Sequence, residues 1–162
     1  GYVDGEWVQR SGYRFTVSRS LAAEIHVPVA DVVRESKAFL EAQRGIRRVW
    51  TAEEIRAGEG PEPFAHLYRN SWDPERGGDF EVQPEPTCLF TTYPTGTNHG
   101  SPYLYDRRVP LVFAGPGIER GRVTETVATV DLAPTLAAHL GIPVPDDLDG
   151  RVLSLRGATP SD

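Results

Sequence analysis

His99 is held between Gly96 and Gly100 in the run Gly96-Thr97-Asn98-His99-Gly100-Ser101-Pro102-Tyr103-Leu104-Tyr105-Asp106. Glycine on each side lets the backbone turn tightly and approach a ligand or another strand. Thr97 and Asn98 can hydrogen-bond locally and fix the loop. An imidazole held in this way can offer a nitrogen to zinc at about 2.0–2.1 Å. A surface histidine in a polar turn fits the same residues. Asp106, further along, could orient such a ligand from behind, or it could pair with arginines or cap a turn. Tyr103 and Tyr105 alternate, as residues packing one face of a loop do; stacking on a substrate is the other reading.

The remaining candidates carry less. His26 precedes Val27-Pro28 in an apolar stretch, and His66 falls on an expected helix face. His139 lies near an expected helix C-terminus, where positive charge is favoured. No two of the four histidines have the H-x-x-x-H spacing of a metal pair. Gly115-Pro116-Gly117 lacks the Lys and Ser/Thr of a phosphate-binding loop. No serine sits in a G-x-S-x-G elbow. The single cysteine, Cys88, excludes an internal disulfide and a cysteine-based zinc cluster. Its apolar surroundings predict a buried, inert thiol. The residues alone therefore lead to one possible metal ligand.

The elements that must position that ligand read as an α/β domain. Residues 1–18 alternate aromatic and polar side chains, punctuated by Gly5 and Gly12, and predict a strand pair. Asp31 can cap a helix to about Arg44 with the stripe Val32, Val33, Phe39 and Leu40, and Gly45 as its stop. Residues 46–50 predict a short strand. Thr51-Ala52-Glu53-Glu54 is a capping box opening a short helix that ends near Gly58. A turn over 58–63 and a helical piece over 64–70 come next, then strands over 79–83 and 87–92. The long loop 93–109 precedes a buried strand at 111–114, whose Pro110 suits a strand's start. Residues 123–130 predict another strand. Asp131 caps a final helix bearing Leu132, Leu136 and Leu140, which Gly141 ends. Residues 1–92 read as a small βαβ-type, cap-like subdomain, and 93–162 as the loop, strand and helix of a larger catalytic sheet.

Composition sets the outer bounds. The 162 residues suffice for a domain with its own core, with 39% hydrophobic residues. No apolar run approaches the roughly 20 residues of a membrane helix. A net charge of -6, from 17 basic and 23 acidic residues, argues against nucleic acid as a partner. There is no methionine, and Gly1-Tyr2-Val3-Asp4 is an abrupt start without a signal-peptide pattern. A processed product or an excised portion of a longer chain is expected.

From Asn70 to Val152 the sequence resembles the C-terminal part of the alkaline phosphatase superfamily. The likeness is to the bacterial zinc-dependent phosphate-monoester hydrolases with a threonine nucleophile. It is carried by Arg76-Gly77-Gly78-Asp79, Gly96-Thr97-Asn98-His99-Gly100-Ser101-Pro102-Tyr103, Tyr105-Asp106 and Val109-Pro110-Leu111. Residues 115–121, Asp131-Leu132-Ala133-Pro134-Thr135-Leu136 and Gly150-Arg151-Val152-Leu153 complete it. The resemblance implies that His99 is a zinc ligand. It implies two zinc ions in the parent enzyme, with at most one ligand in these residues, and a phosphate-ester substrate. It also implies a periplasmic or secreted protein.

The chain departs from the family pattern in what it lacks. The family's nucleophile and most of its ligands lie upstream of the matching region. No Asp-His pair and no threonine in the expected context occur here. Gly77 or Gly78 stands where relatives often carry Ser, and Arg108 where they often have His. The expectation is a C-terminal portion of a metal-dependent phosphatase, whose partner is the upstream part of the same polypeptide, and which is not catalytic alone. A phosphodiesterase or nucleotide pyrophosphatase of the same superfamily is the sister reading. A non-catalytic binding domain that keeps the fold is the other. No Cys-x-Pro-x-Arg motif of a sulfatase is visible.

Overall fold

Strand alternation sets up the first sheet. Val8–Ser11 (β1) and Arg14–Val17 (β2) pair antiparallel, Val8 opposite Val17 and Ser11 opposite Arg14. Gly12 turns the hairpin at φ +63°, a left-handed conformation that glycine adopts without steric cost. The sheet is completed by Ile46–Thr51 (β3) and Phe80–Pro84 (β4), in the order β1-β2-β4-β3 with every pair antiparallel. β2 and β3 both run antiparallel to β4 and so are parallel to each other. Their connection carries the helices Arg19–Glu24 (α1) and Val29–Glu41 (α2). The unit is thus a split βαβ, with β4 inserted between the parallel strands.

The computed structural model describes residues 6–91, 93, 95–97 and 99–155. Contacts divide the chain into two compact units, Gly1–Arg108 and Val109–Asp162. Residues 93–108 group with the first unit, so this division falls later than the change of sequence character at 92/93.

Helices cover both faces of the sheet. Successive strand residues point to opposite sides, so Val49 and Val82 face one way, Trp50 and Gln83 the other. On the first side Val17, Val49, Phe80 and Val82 form a buried cluster, packed by Val29, Val32, Val33 and Leu40 of α2. On the second, Trp50 packs with Ile55 of Ala52–Ala57 (α3) and with Ala65 and Tyr68 of Phe64–Ser71 (α4). The Trp50 and Tyr68 rings stack at 4.8 Å. α3 begins with the capping box read from Thr51 and Glu54, and Gly58 closes it in the left-handed conformation.

Glu54 does more than cap. Its carboxylate accepts from Lys37 Nζ at 2.7 and 2.8 Å, from Arg48 at 3.0 Å and from the Thr51 amide at 2.9 Å. Lys37 also donates to the Val49 carbonyl (2.8 Å), and Glu41 accepts from the Val49 amide (2.9 Å). Side chains of α2 thereby occupy the open edge of β3, which would otherwise present free ladder groups.

Several expectations are corrected. α2 starts at Val29 behind Pro28, and Asp31 lies in its first turn rather than at its cap. Phe39 is 67% exposed and lies off the buried stripe, which Val29 joins instead. α1, capped by Ser18, was hidden by its shortness. No strand forms among the described residues of 87–92, and a one-turn helix, Leu104–Arg107 (α5), interrupts the expected loop.

In the second unit, 111–114 and 123–130 form no strand among the described residues, and Val112 is 80% exposed. A strand needs a hydrogen-bonded neighbour, and an apolar run does not bring one with it. The helix Leu132–His139 (α6) comes after a single 3-10 turn, Thr129–Asp131, with Gly141 at φ +70° after its end. Its buried residues are Pro134 and Thr135, while Leu132, Leu136 and Leu140 face outward. The Asp131 carboxylate does not cap α6. It is buried and accepts from the Ala128 and Arg151 amides, each at 2.9 Å. Thr135 Oγ1 accepts from the Leu153 amide (2.9 Å). A Cβ on Gly150 would lie 2.1 Å from the Val130 carbonyl oxygen, so only glycine fits this crossing.

Burial pulls the Glu54 carboxyl up, and its bonds to Lys37 and Thr51 outweigh that, holding it below the ordinary carboxylate range. A depressed folded pKa gives stability that is present above the unfolded value and lost as pH falls through the folded one. Glu54→Gln should therefore cost about 1–3 kcal/mol at pH 7, and the cost should shrink towards zero near pH 2. Urea titrations followed by tryptophan fluorescence, to which Trp50 of the core contributes, read this. An equal cost at both pH values would assign the effect to packing instead.

Candidate functional site

The His99 loop leaves the sheet beyond β4. Gly96 and Gly100 have φ of +127° and +109°, so both bracketing glycines are demanded by the backbone. His99 and Gly100 are exposed. Asn98 lies outside the described residues. His99 is therefore an exposed residue with a positive-φ glycine immediately after it.

The segment after His99 is fastened down. The Ser101 amide donates to Asp106 Oδ2 at 2.7 Å. Burial raises the Asp106 carboxyl, and hydrogen bonds from Ser101 and the Gly100 amide outweigh it; a smaller contribution comes from His99 nearby. The net effect holds Asp106 below the ordinary carboxylate range. The Ser101 hydroxyl finds no partner of good geometry among the described residues, so its amide carries the contact. The amides of Asp106 and Arg107 donate to the Tyr103 carbonyl, which closes the single turn of α5.

Two tyrosines tie that turn to the sheet. The Tyr103 hydroxyl donates to the Pro84 carbonyl (2.7 Å) and accepts from Gln83 Nε2 (3.2 Å). Gln83 is 1% exposed, and its Oε1 accepts from Trp50 Nε1 at 2.9 Å. The Tyr105 hydroxyl accepts from the Thr87 amide at 2.9 Å. The two rings stack at 5.7 Å, and Phe64 meets Tyr103 edge-on at 5.6 Å. Tyr103 packs against Phe64 and the sheet's end, while Tyr105, 60% exposed, lies at the surface rather than in a core. Burial pushes the Tyr103 phenol up, and the Gln83 bond opposes it.

Arg76-Gly77-Gly78-Asp79 shapes the fold near β4. A Cβ on Gly77 would strike the Trp72 indole at 2.1 Å, and one on Gly78 the Phe15 carbonyl at 2.7 Å. Asp79 accepts from the Val17 amide (2.8 Å) and from the Arg19 guanidinium, fixing the start of α1. Cys88 is half-buried with its Sγ beside Gly45. It lines a cavity of about 320 Å³ with Leu40, Ile46 and Phe90.

The other histidines stand apart from this loop. His66 lies 3.1 Å from Asn70 on α4, and His139 lies 3.0 Å from the Pro116 carbonyl in the second unit. His26 is exposed at φ +57° after α1. Among the described residues no three His, Cys, Asp or Glu groups gather as a metal site. The donor chemistry fits zinc as one ligand, an exposed imidazole on a fixed turn, and does not fit a whole site. Sequence reasoning missed the Trp50–Gln83–Tyr103 chain. Its one signal was a glutamine next to Val82 at a strand's end.

No family model matches the chain. It is 34% identical over 137 residues to alkaline phosphatase PhoK of Sphingomonas sp, covering 78% of this chain and 24% of that protein. It is 33% identical over 135 residues to alkaline phosphatase PhoD of Zymomonas mobilis, covering 78% and 23%. The crystal structure of alkaline phosphatase PafA superposes with a TM-score of 0.78 at 26% identity, over 87% of this chain and 27% of that one. The chain thus spans about a quarter of the length of the relatives it matches.

The fastening of the loop can be measured. Tyr103→Phe removes the donor to Pro84 and the acceptor for Gln83. It should lower the stability of the first unit by about 1–2 kcal/mol and speed amide exchange at Ser101. Unchanged exchange at Ser101 would show that the loop does not depend on Tyr103.

Proposed function

The chain belongs to the alkaline phosphatase superfamily, and we propose that it is the part of a metal-dependent phosphate-ester hydrolase that supplies one zinc ligand, His99. The observation that carries this reading is the geometry of the loop. His99 is exposed between two glycines of positive φ, and the segment just after it is held through Tyr103, Tyr105 and Asp106. A ligand needs exposure beside a held backbone.

In this reading the nucleophile and the other ligands belong to the rest of the polypeptide. Two zinc ions, when bound, supply charge that stabilises the attacking and leaving oxygens of an in-line displacement. The work of this chain is to hold one nitrogen in place before any metal arrives. Phosphate monoesters are the proposed substrate class, with phosphodiesters as the sister class. Among the described residues no helix is long and apolar enough to cross a membrane. A periplasmic or secreted setting is part of the proposal.

The 162 residues alone should not hydrolyse an aryl phosphate monoester. The full-length polypeptide should, and faster than it hydrolyses the corresponding diester. His99→Ala in that polypeptide should lower bound zinc and cut turnover by more than about 100-fold, beyond what loss of an outer-shell partner does. Full zinc content and activity in His99→Ala would remove His99 from the site. Turnover by the 162 residues alone would overturn the division of the site between segments.

A further inference from the structure

We infer that Asp106 is a positioning residue for His99, acting on the backbone just after the imidazole. The inference rests on the reading of His99 as a ligand. The sequence leaves three roles open for Asp106: orienting a ligand, pairing with arginines, or capping a turn. Its carboxylate receives the Ser101 amide at 2.7 Å. This is the second peptide N–H group after His99. Among the described residues no ion pair joins Asp106 to Arg107 or Arg108.

Holding the Ser101 amide on the carboxylate fixes the orientation of the peptide plane between Gly100 and Ser101. Gly100 takes φ +109°, and that plane constrains the backbone from which His99 projects. The carboxylate is itself held. α5, which carries it, is anchored at Tyr103 to Pro84 and Gln83, and at Tyr105 to Thr87. Hydrogen bonds therefore hold α5 to the sheet at one end and the Gly100–Ser101 peptide to α5 at the other. Charged acceptors make the shorter and stronger bonds, so an aspartate suits this place better than an amide side chain.

The test uses zinc affinity by chelator competition in the full-length polypeptide, with the melting temperature of the metal-free protein as a control on folding. Asp106→Ala should weaken zinc by about 10–100-fold, the usual effect of removing support behind a ligand, with little change in the metal-free melting temperature. Asp106→Asn keeps one acceptor oxygen and should fall between Asp106→Ala and the unaltered protein. In the 162-residue chain, exchange of the Ser101 amide should quicken in Asp106→Ala. Loss of zinc in His99→Ala with unaltered affinity in Asp106→Ala would overturn the positioning role and leave His99 a ligand. Retained zinc in His99→Ala would overturn both. Should Asp106→Ala fail to fold, Asp106→Asn decides, and an affinity equal to the unaltered protein overturns the inference.

Discussion

A buried amide cannot be left without partners, and Gln83 is the buried amide on which the first unit turns. Leaving such a group unsatisfied costs about 1–3 kcal/mol. Gln83 lies at the end of β4 with 1% exposure, where water cannot reach it. One end takes the Trp50 indole N–H, and the other gives to the Tyr103 hydroxyl. Trp50 belongs to the core between the sheet and α3 and α4. Tyr103 belongs to the segment after His99. One requirement for satisfied polarity thus links the core around Trp50 to the segment after His99.

The same economy runs through the residues that make the sequence recognisable. Asp79, Asp131, Thr135 and Gly150 all fall in stretches that carry the family resemblance, and in this structure each serves the backbone. Asp79 receives the Val17 amide and the Arg19 guanidinium. Asp131 and Thr135 receive the amides of Arg151 and Leu153, and Gly150 leaves room for that crossing. Conspicuous polar motifs therefore point to closely held loops here. His99 differs from them because it is exposed.

The local half of this fold was legible, and the reason is physical. The capping box at Thr51 and Glu54, the hairpin about Gly12 and the helical piece of α4 depend on neighbours within a few residues, so their signals lie in the sequence beside them. Phe39 was misplaced because a stripe of apolar residues gives a face only approximately, and α2 is turned so that Val29 and Val33 meet the sheet. The runs 111–114 and 123–130 failed as strands for a different reason. Pairing belongs to two segments at once, and an apolar run marks a need for cover without naming what covers it. Leu132, Leu136 and Leu140 make the same point on α6: the pattern found the helix, while contacts with 150–153 chose its buried face.

For the candidate site, the imidazole, its bracketing glycines and Asp106 were legible as residues, while the link through Gln83 was not. Gln83 and Tyr103 are separated along the chain, and only the fold brings them into hydrogen-bond contact. A site assembled from several segments binds metal tightly only if each donor is already aimed, since ordering a loop costs roughly 1–2 kcal/mol per residue fixed. The segment after His99 is ordered by the bonds of Tyr103 and Tyr105 to Pro84, Gln83 and Thr87, which need no metal. A single donor prepared in advance contributes little affinity alone and a great deal once other donors are brought beside it. The proposed role of His99 depends on that preparation, in a chain about a quarter the length of its relatives.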